Sequence, residues 1–214
     1  VMLNAFHHSI DQNVKTNAKN ILTADFAVSS RQKISASDNL VLSEQLPPRI
    51  AEAESIELFT MISATKTQTH EAQLVQLQAI SSNFPLRGDL EFKDSQNTKK
   101  DNKLQLGHVC INSDLAAEAT LHIGDSISLG DDQVTIDEEI DYDPSQATRS
   151  FASSGKIYLH LASLESTVLL KVGSTATYAR FYTFQDVDEK ILAENLANKL
   201  SADIELITPE KAGQ

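Results

Sequence analysis

The sequence predicts an α+β fold, because helices and strands alternate without the regular spacing of a doubly wound α/β sheet. Two amphipathic helices are predicted near the ends of the chain, at residues 3–22 and 187–200, and most of the segments between them are strand-like. The middle of the chain, about residues 94–174, is poorer in helix than the ends. We therefore predict a helix-and-strand core that carries both termini, with a β-rich subdomain inserted into it.

Helices are predicted where apolar residues recur at steps of three and four, or where a short polar step follows a strand. In chain order, the predicted helical segments are 3–22, 38–46, 48–54, 113–119, 162–169 and 187–200. Pro47 is expected to end the second helix and Pro48 to open the third, since proline fits the first turn of a helix but not its interior. The apolar face of the last helix is predicted to consist of Val187, Ile191, Leu192 and Leu196.

Strands are predicted where apolar residues alternate with polar ones or cluster between turn-forming residues. In chain order, the predicted strands are 24–30, 55–64, 72–80, 108–112, 125–129, 133–141, 156–160, 175–184 and 203–207. The second and third strands are expected to form a hairpin across the polar stretch 66–71, and Asp131-Asp132 indicates another hairpin. Two further polar stretches, 91–105 and 143–155, are predicted to be loops, and the first is the best internal boundary.

Composition and charge disfavour several classes of function. The 214 residues include 30 acidic and 18 basic side chains, and the net charge of −12 at pH 7 is spread along the chain. Nucleic-acid binding is not expected, because it requires clustered Lys and Arg. The single cysteine, Cys110, excludes an internal disulfide and is expected to lie buried in a strand. The sequence shows no signal peptide and no apolar run of membrane-spanning length, and we expect its ends to be boundaries within a longer protein.

No set of residues in the sequence specifies a reaction. The six histidines lack the spacing of a metal site, and the acidic residues of 131–143 follow a strand pattern rather than that of a calcium-binding loop. The GxSxG nucleophile motif and the glycine-rich motifs that bind phosphate are absent from the sequence. We therefore expect no enzyme activity and no catalytic, cofactor-binding or metal-binding residue in this chain.

One local motif, Phe84-Pro-Leu-Arg-Gly-Asp-Leu90, is neither a simple turn nor a simple strand. Pro85 fixes its own φ angle and keeps the preceding residue extended, while Gly88 permits a positive φ angle. Arg87 is suited to hold the bend by binding carbonyl groups or an acid. We predict that Pro85, Leu86, Arg87 and Gly88 form a structured bend after a strand, with a contact surface for a partner as the alternative.

A longer pattern combines the strand 108–112, the helical step at 113–119, the segment Leu121-His-Ile-Gly-Asp-Ser-Ile-Ser-Leu-Gly130 and the strand that begins at Gln133. Gly124 and Asp125 are predicted to make the turn within it. This order resembles the extracytoplasmic core of FtsX-like and MacB-like ABC transporter permeases. The motif at residues 84–90 narrows the resemblance to the YbbP-type permeases, in which tyrosine usually stands at the position of Phe84.

The resemblance covers about residues 10–207 and implies a periplasmic domain between the first two membrane helices of a bacterial inner-membrane permease. It implies a porter-like part made of residues 1–93 and 175–214, and an inserted β-rich part made of residues 94–174. The implied partners are the rest of the permease and a separate cytoplasmic subunit that binds ATP, together with another periplasmic protein or a hydrophobic cargo. The implied role is to transmit conformational change without catalysis and without a cofactor in this chain.

Two other functions are weighed from the residues alone. A ligand-binding or sensor domain would need an apolar pocket, and Phe59, Phe181, Tyr182 and Phe184 are candidates to line it, although core packing is their commoner role. A secreted hydrolase finds no support in any nucleophile motif. The transmission role predicts that helix 3–22 packs in one subdomain with the unit 187–207, which would bring residues near 5 and 210 to the same end.

Overall fold

The computed structural model describes residues 2–65, 72–93, 104–147, 155–171 and 174–213. These residues form a mixed α+β fold with five α-helices and one ten-stranded sheet. The helices are α1 (Met2–Leu22), α2 (Ala36–Gln45), α3 (Ser113–Glu118), α4 (Glu189–Ala197) and α5 (Pro209–Ala212). The strands are β1 (Phe26–Ser30), β2 (Arg49–Ala64), β3 (Gln73–Ile80), β4 (Glu91–Phe92), β5 (His108–Asn112), β6 (Ser126–Leu129), β7 (Asp132–Tyr142), β8 (Lys156–His160), β9 (Thr177–Phe184) and β10 (Glu205–Ile207).

The sheet runs in the order β10-β1-β9-β2-β3-β8-β5-β7-β4, and β6 pairs with both β2 and β7. Only the β3–β8 and β5–β7 pairs are parallel among the described strands. The long strand β2 changes neighbour along its length: Arg49–Glu57 pairs with β9, and Ile62–Ala64 pairs with β6. Its other edge pairs with β3, as the predicted hairpin requires.

The second half of β2 belongs to a closed ring of strands. β2 pairs with β3, β3 with β8, β8 with β5, β5 with β7, β7 with β6, and β6 again with β2. The apolar side chains of this six-stranded barrel form one buried core, which includes Leu58, Ile62, Val75, Leu77, Val109, Ile111, Ile127, Leu129, Val134, Ile136, Ile157 and Leu159. Leu115 and Ala116 of α3 pack against the same core. We call this unit the barrel.

The other end of the sheet carries helices on both faces. On one face, α2 and α4 cover a core formed by Phe26, Val28, Ile34, Leu42, Leu46, Tyr182, Phe184, Leu192 and Leu196. On the opposite face, the end of α1 and the loop at Phe84 cover a second core, which includes Ala27, Tyr158 and Phe181. All five residues of β1 are buried because the strand is covered on both sides. The terminal helices α1 and α5 contact each other.

Most predicted helices and strands are confirmed, with two clear corrections. The helical piece predicted after Pro48 is wrong, because Arg49 begins β2 and residues 49–57 pair with β9. Ile191 was predicted on the buried face of the last helix but is 55% exposed. Only Leu192 and Leu196 of α4 point into the core, so the apolar stripe is narrower than the periodicity suggested.

The segment predicted as a helix at 162–169 contains a short 3-10 turn, Leu161–Ser163, followed by irregular turns. The polar stretch 66–71 and most of the predicted loops, 94–103 and 148–154, lie outside the described residues. No helix in the described part of the chain combines the length and apolarity needed to cross a membrane. The division at residues 94 and 174 stays a prediction, and the barrel also uses β3 and half of β2, which precede residue 94.

Candidate functional site: a charge network at the end of the terminal helix

The motif at residues 84–90 lies against the C-terminal end of α1. The backbone N–H groups of Leu86 and Arg87 both donate to the carbonyl oxygen of Thr23, at 3.0 and 2.9 Å. Gly88 has a φ angle of +71°, and a Cβ atom there would lie 3.1 Å from Cγ of Pro144 and 3.3 Å from Cβ of Asn20. The bend therefore allows the loop, the end of α1 and the 3-10 turn Pro144–Gln146 to approach closely.

Arg87 forms a two-point ion pair with Asp25, the residue before β1. Nε donates to Oδ1 at 3.0 Å and Nη2 donates to Oδ2 at 2.9 Å. Nζ of Lys19 lies 3.0 Å from Oδ1, and the backbone N–H of Phe184 donates to Oδ2 at 3.0 Å. The Asp25 side chain is only 3% exposed, so these four donors replace water around its carboxylate.

Lys19 extends the same network to α4. Its Nζ lies 2.7 Å from Oε1 of Glu189, a buried side chain in the first turn of that helix. A carboxylate at this position also interacts favourably with the helix dipole. We call Lys19, Asp25, Arg87 and Glu189 the Asp25 network. It joins the last turns of α1 to β1, to β9 through Phe184, to α4 and to the 84–90 loop.

The pKa values of the network favour its charged form. Burial raises the pKa of Asp25, but hydrogen bonds from Arg87, the Phe184 backbone and Lys19 outweigh burial, and the pKa is lowered. Burial lowers the pKa of Lys19, but hydrogen bonds with Glu189 and Asp25 reverse the effect, and the pKa is raised. The hydrogen bond with Asp25 raises the pKa of Arg87. These three groups are therefore charged at neutral pH.

A second buried ion pair lies beside the 3-10 turn that contacts α1. Nζ of Lys156 lies 2.9 Å from Oδ2 of Asp143, and the Tyr158 hydroxyl donates to the same oxygen at 2.6 Å. Ser145 donates its backbone N–H and its hydroxyl to Oδ1. Burial raises the pKa of Asp143, but Lys156 and the hydrogen bonds lower it overall, whereas burial and Asp143 raise the pKa of Tyr158.

Gly124 and Asp125 lie in the barrel and are not part of either charge cluster. The N–H of Gly124 donates to the carbonyl oxygen of Ile136 at 2.7 Å. In return, the N–H of Ile136 donates to the carbonyl oxygen of Asp125 at 2.9 Å. The Asp125 carboxylate accepts from the backbone N–H of His122 at 2.9 Å. Gly124 has a φ angle of +90°. These contacts make a turn that leads into β6 and is hydrogen-bonded to β7.

Comparison with known proteins gives one sequence relative and several structural ones. Over 106 residues, half of this chain, the sequence is 28% identical to the uncharacterized ABC transporter permease YbbP of Escherichia coli K12. The periplasmic region of MacB from Actinobacillus actinomycetemcomitans has the same fold, with a TM-score of 0.54 and 12% identity over 91% of this chain and 94% of that one. The chain has the fold of a MacB-like periplasmic domain.

Two further solved structures share this fold with the chain. A domain of a permease from Porphyromonas gingivalis has a TM-score of 0.53 and 11% identity, over 87% of this chain and 91% of that one. The extracellular domain of the ABC-type transporter YknZ from Gram-positive bacteria has a TM-score of 0.52 and 11% identity, over 86% and 100% of the two chains. No protein-family model matches the chain.

These comparisons confirm the resemblance to MacB-like and YbbP-type permease domains that the sequence predicted. The match to YbbP spans only 13% of the length of that protein. The match covers half of this chain, so it shows a similarity to one part of that permease.

The sequence pattern predicted a role for Arg87 but did not identify its partners Asp25, Lys19 and Glu189. One signal was available, because Asp25 stands between Ala24 and Phe26 in a strand-like segment, and an acid among buried residues is rarely unpaired. The partners themselves were hidden, since Asp25 and Arg87 are 62 residues apart in sequence. Lys156, which opens the buried strand β8, gave a similar signal.

The four aromatic residues proposed to line a pocket do not converge in the structure. Phe59 is 61% exposed on the barrel, and Phe181 lies in the core under α1. Tyr182 and Phe184 lie in the core under α2 and α4. Phe181 and Tyr182 separate because successive strand residues point to opposite faces. No group of three or more His, Cys, Asp or Glu side chains suited to a metal ion occurs within the described residues.

Proposed function

We propose that this domain transmits conformational change in an ABC transporter permease without catalysing a reaction itself. The observation that carries the proposal is the Asp25 network, which fixes the last turns of α1 to the sheet through buried ion pairs. Ion pairs with several fixed donors resist sliding more than apolar contacts do, because any displacement leaves a buried charge unpaired. A force applied along α1 would therefore move β1, β9 and α4 together with the helix.

The geometry of the terminal helices supports the same proposal. A Cβ atom at Gly213 would lie 3.7 Å from the Cβ atom of Ala18, so α5 packs on the second half of α1. Residues 10–17 of α1 are exposed, and Asp11, Val14 and Lys15 among them line a pocket together with Pro209 and Glu210 of α5. We propose that α1 and α5 lead to the two membrane helices that flank the domain.

The strand β2 supplies a route from the terminal part to the barrel. Its first half lies in the sheet beside β9, and its second half is one of the six barrel strands. A continuous strand is stiff along its axis, so displacement of the terminal part would reach the barrel without a separate hinge element. We propose that the barrel contacts another extracytoplasmic protein or a hydrophobic cargo, and that a cytoplasmic ATPase subunit drives the motion.

The exposed apolar side chains of the hairpin are the surface that we propose for this contact. Met61 pairs in register with Leu74, and Phe59 lies two residues away on the same face. These three side chains are 49%, 58% and 61% exposed, respectively. Clusters of exposed apolar residues are typical of interaction surfaces. A contact role for the half-exposed residues Pro85–Gly88 is a second proposal, which their tight packing against α1 makes less direct.

The proposal is tested in the complete permease, assembled with its ATPase subunit in lipid nanodiscs. A spin label at Ile123, which is 50% exposed on the barrel, reports the distance to a second label in the membrane part. We expect this distance to change between the nucleotide-free and ATP-trapped states. As the control, the distance between two labels that are both attached to lipids should stay the same. An unchanged distance in all nucleotide states would contradict a transmission role and would favour a passive docking domain.

A further inference from the structure

A groove of about 350 Å³ lies between the sheet and the terminal helices, on the face opposite α2 and α4. Its floor crosses β1, β9 and β2 and carries the small side chains of Ala27, Ser29, Ser55 and Ala179. The opposite wall includes Leu22 of α1 and Ala212 of α5. None of the four floor side chains is larger than serine, so the space between the strands and the helices stays open.

An unpaired polar atom marks the inner end of this groove. Gln78 of β3 lines the groove and is only 5% exposed. Its Oε1 atom has no hydrogen-bond partner among the residues that the structure describes. Buried polar atoms in native proteins nearly always have a partner, which can be a bound molecule or a water. An amide oxygen accepts hydrogen bonds, so a ligand at this atom would donate one.

The charges around the groove identify the kind of donor. Glu57 stands opposite Gln78 in the β2–β3 register and lines the groove beside it. Glu205 lies at the exposed rim of the groove, and its Oε1 atom is 2.7 Å from Nζ of Lys211. No Lys, Arg or His occurs among the described residues that line the groove. The hydroxyl groups of Ser29 and Thr177 can each accept or donate a further hydrogen bond.

Apolar side chains also line the groove. Phe84 and Phe181 meet edge to face with their ring centres 5.2 Å apart, and Leu22 of α1 and Ile207 of β10 line the groove as well. A molecule that fills the groove would therefore present hydrogen-bond donors and positive charge at one end and a hydrocarbon chain along its length. The volume is within the range of pockets that bind small molecules.

We propose that the groove binds an amphiphilic primary amine, with its ammonium group at Glu57 and Gln78 and its alkyl chain against Phe84 and Phe181. A protonated amine carries three donors, which match the Gln78 amide oxygen, the Glu57 carboxylate and the hydroxyl oxygens of the groove. The charge of Glu57 favours it over an alcohol and disfavours a carboxylate. This inference does not depend on the transmission role, although a ligand there would contact both terminal helices.

The proposal is tested by calorimetric titration of the chain with n-octylamine at pH 7, compared with n-octanol and octanoate at the same concentrations. We expect saturable binding of the amine with a stoichiometry near one, and affinity at least about tenfold weaker for the alcohol, the effect of one lost charge-assisted contact. Octanoate should not bind. Equal binding of all three compounds, or saturable binding of none, would overturn the proposal.

Substitutions of residues that line the groove test whether the amine binds there. Gln78→Leu should weaken amine binding about tenfold while leaving the melting temperature unchanged or higher, because it removes the unpaired acceptor. Glu57→Gln should weaken it to a similar degree. Glu52→Gln is the matched control, since Glu52 lies on the same strand but does not line the groove, and it should bind like the parent chain.

A groove-filling variant covers the case in which Gln78→Leu or Glu57→Gln fails to fold. Thr177 is half-buried at the groove, and Thr177→Trp should abolish amine binding by occupying the space. Folding of each variant is checked by circular dichroism. If folded Gln78→Leu, Glu57→Gln and Thr177→Trp all bind the amine like the parent chain, the groove is not the site and the inference is wrong.

Discussion

Asp25 stabilises this fold only as a carboxylate, because every donor around it is an N–H group or an ammonium. Its oxygens accept from Arg87, Lys19 and the Phe184 backbone, and its side chain is almost fully buried. Removing the charge would leave two cations facing a neutral group. Loss of such a buried carboxylate is costly mainly because the neighbouring cations are left without a partner. The attraction between the charges contributes less to the free energy of unfolding.

We predict that Asp25→Asn lowers the free energy of unfolding by about 2–3 kcal/mol. This is less than a fully buried pair would lose, since the Arg87 and Lys19 side chains are 41% and 23% exposed and water can compensate them in part. Urea denaturation measures the change. Glu205→Gln, which breaks an exposed ion pair with Lys211, should cost at most about 0.5 kcal/mol. Equal losses in the two variants would contradict the importance of burial at Asp25.

The lowered pKa values of Asp25 and Asp143 predict a decline of stability in acid. Both groups have pKa values below the ordinary 3.8 in the folded chain, so the unfolded chain binds protons first as the pH falls. Their stabilisation is complete above about pH 5 and is lost as the pH falls through the folded values. Urea denaturation between pH 7 and pH 2 should show this decline, with a shallower slope in Asp25→Asn. A variant slope equal to that of the parent would show that Asp25 does not titrate in this way.

Two glycines with positive φ angles offer a matched pair of substitutions. At Gly124 a Cβ atom would meet nothing within 4 Å, so Gly124→Ala should cost only the backbone strain, about 1 kcal/mol. At Gly88 the same strain is joined by contacts with Pro144 and Asn20, so Gly88→Ala should cost about 2 kcal/mol. Thermal or urea unfolding compares them. A larger loss at Gly124 would mean that the bend at Gly88 is not tightly packed against α1.

At the scale of elements, the contact between α1 and α5 is close enough for a disulfide. The Cβ atoms of Ala18 and of a residue at 213 would be 3.7 Å apart, within the range of natural disulfides. We predict that Ala18→Cys with Gly213→Cys forms a cross-link on mild oxidation, detected by a shift on a non-reducing gel. Cys110 is buried and should not compete. Neither single variant should show the shift, and its absence in the double variant would contradict the packing of the terminal helices.

Elements with local signals could be predicted from the sequence, and elements defined by distant partners could not. The periodic helices α1 and α4 and the hairpin of β2 with β3 were predicted because their patterns are complete within a short segment. The first half of β2 was missed because Pro48 suggests a helix start, whereas its strand form depends on pairing with β9, more than 120 residues later. The pairing of β6 with β2, which closes the barrel, was not predicted either, because it also joins strands that are far apart in the sequence.

The same distinction applies to the candidate site. Residues 84–90 could be selected because proline, arginine and glycine constrain the backbone locally. Their role at the end of α1 depends on Thr23 and Asp25, which no local pattern connects to them. The cores on opposite faces of one sheet could not be distinguished either, because successive residues of β9 contribute to both.

At the scale of the whole molecule, three contacts define a path from the terminal helices to the barrel. The Asp25 network holds α1 to β1 and α4, the pairing of β9 with β2 continues across the sheet, and β2 enters the barrel. In the proposed function, α1 and α5 move as one unit. Loosening the network would then interrupt transmission, whereas joining α1 to α5 would not.

The most direct test compares two variants in the complete permease, assembled with its ATPase subunit and labelled on the barrel at Ile123. The cross-linked Ala18→Cys, Gly213→Cys variant should keep the ATP-dependent displacement of the barrel, because the two helices already move together. Arg87→Lys, which loses the two-point contact with Asp25, should reduce the displacement by half or more at unchanged ATP hydrolysis, an order-of-magnitude expectation for a weakened coupling of about 1 kcal/mol. A displacement that survives Arg87→Lys but is lost on cross-linking would contradict transmission through the Asp25 network.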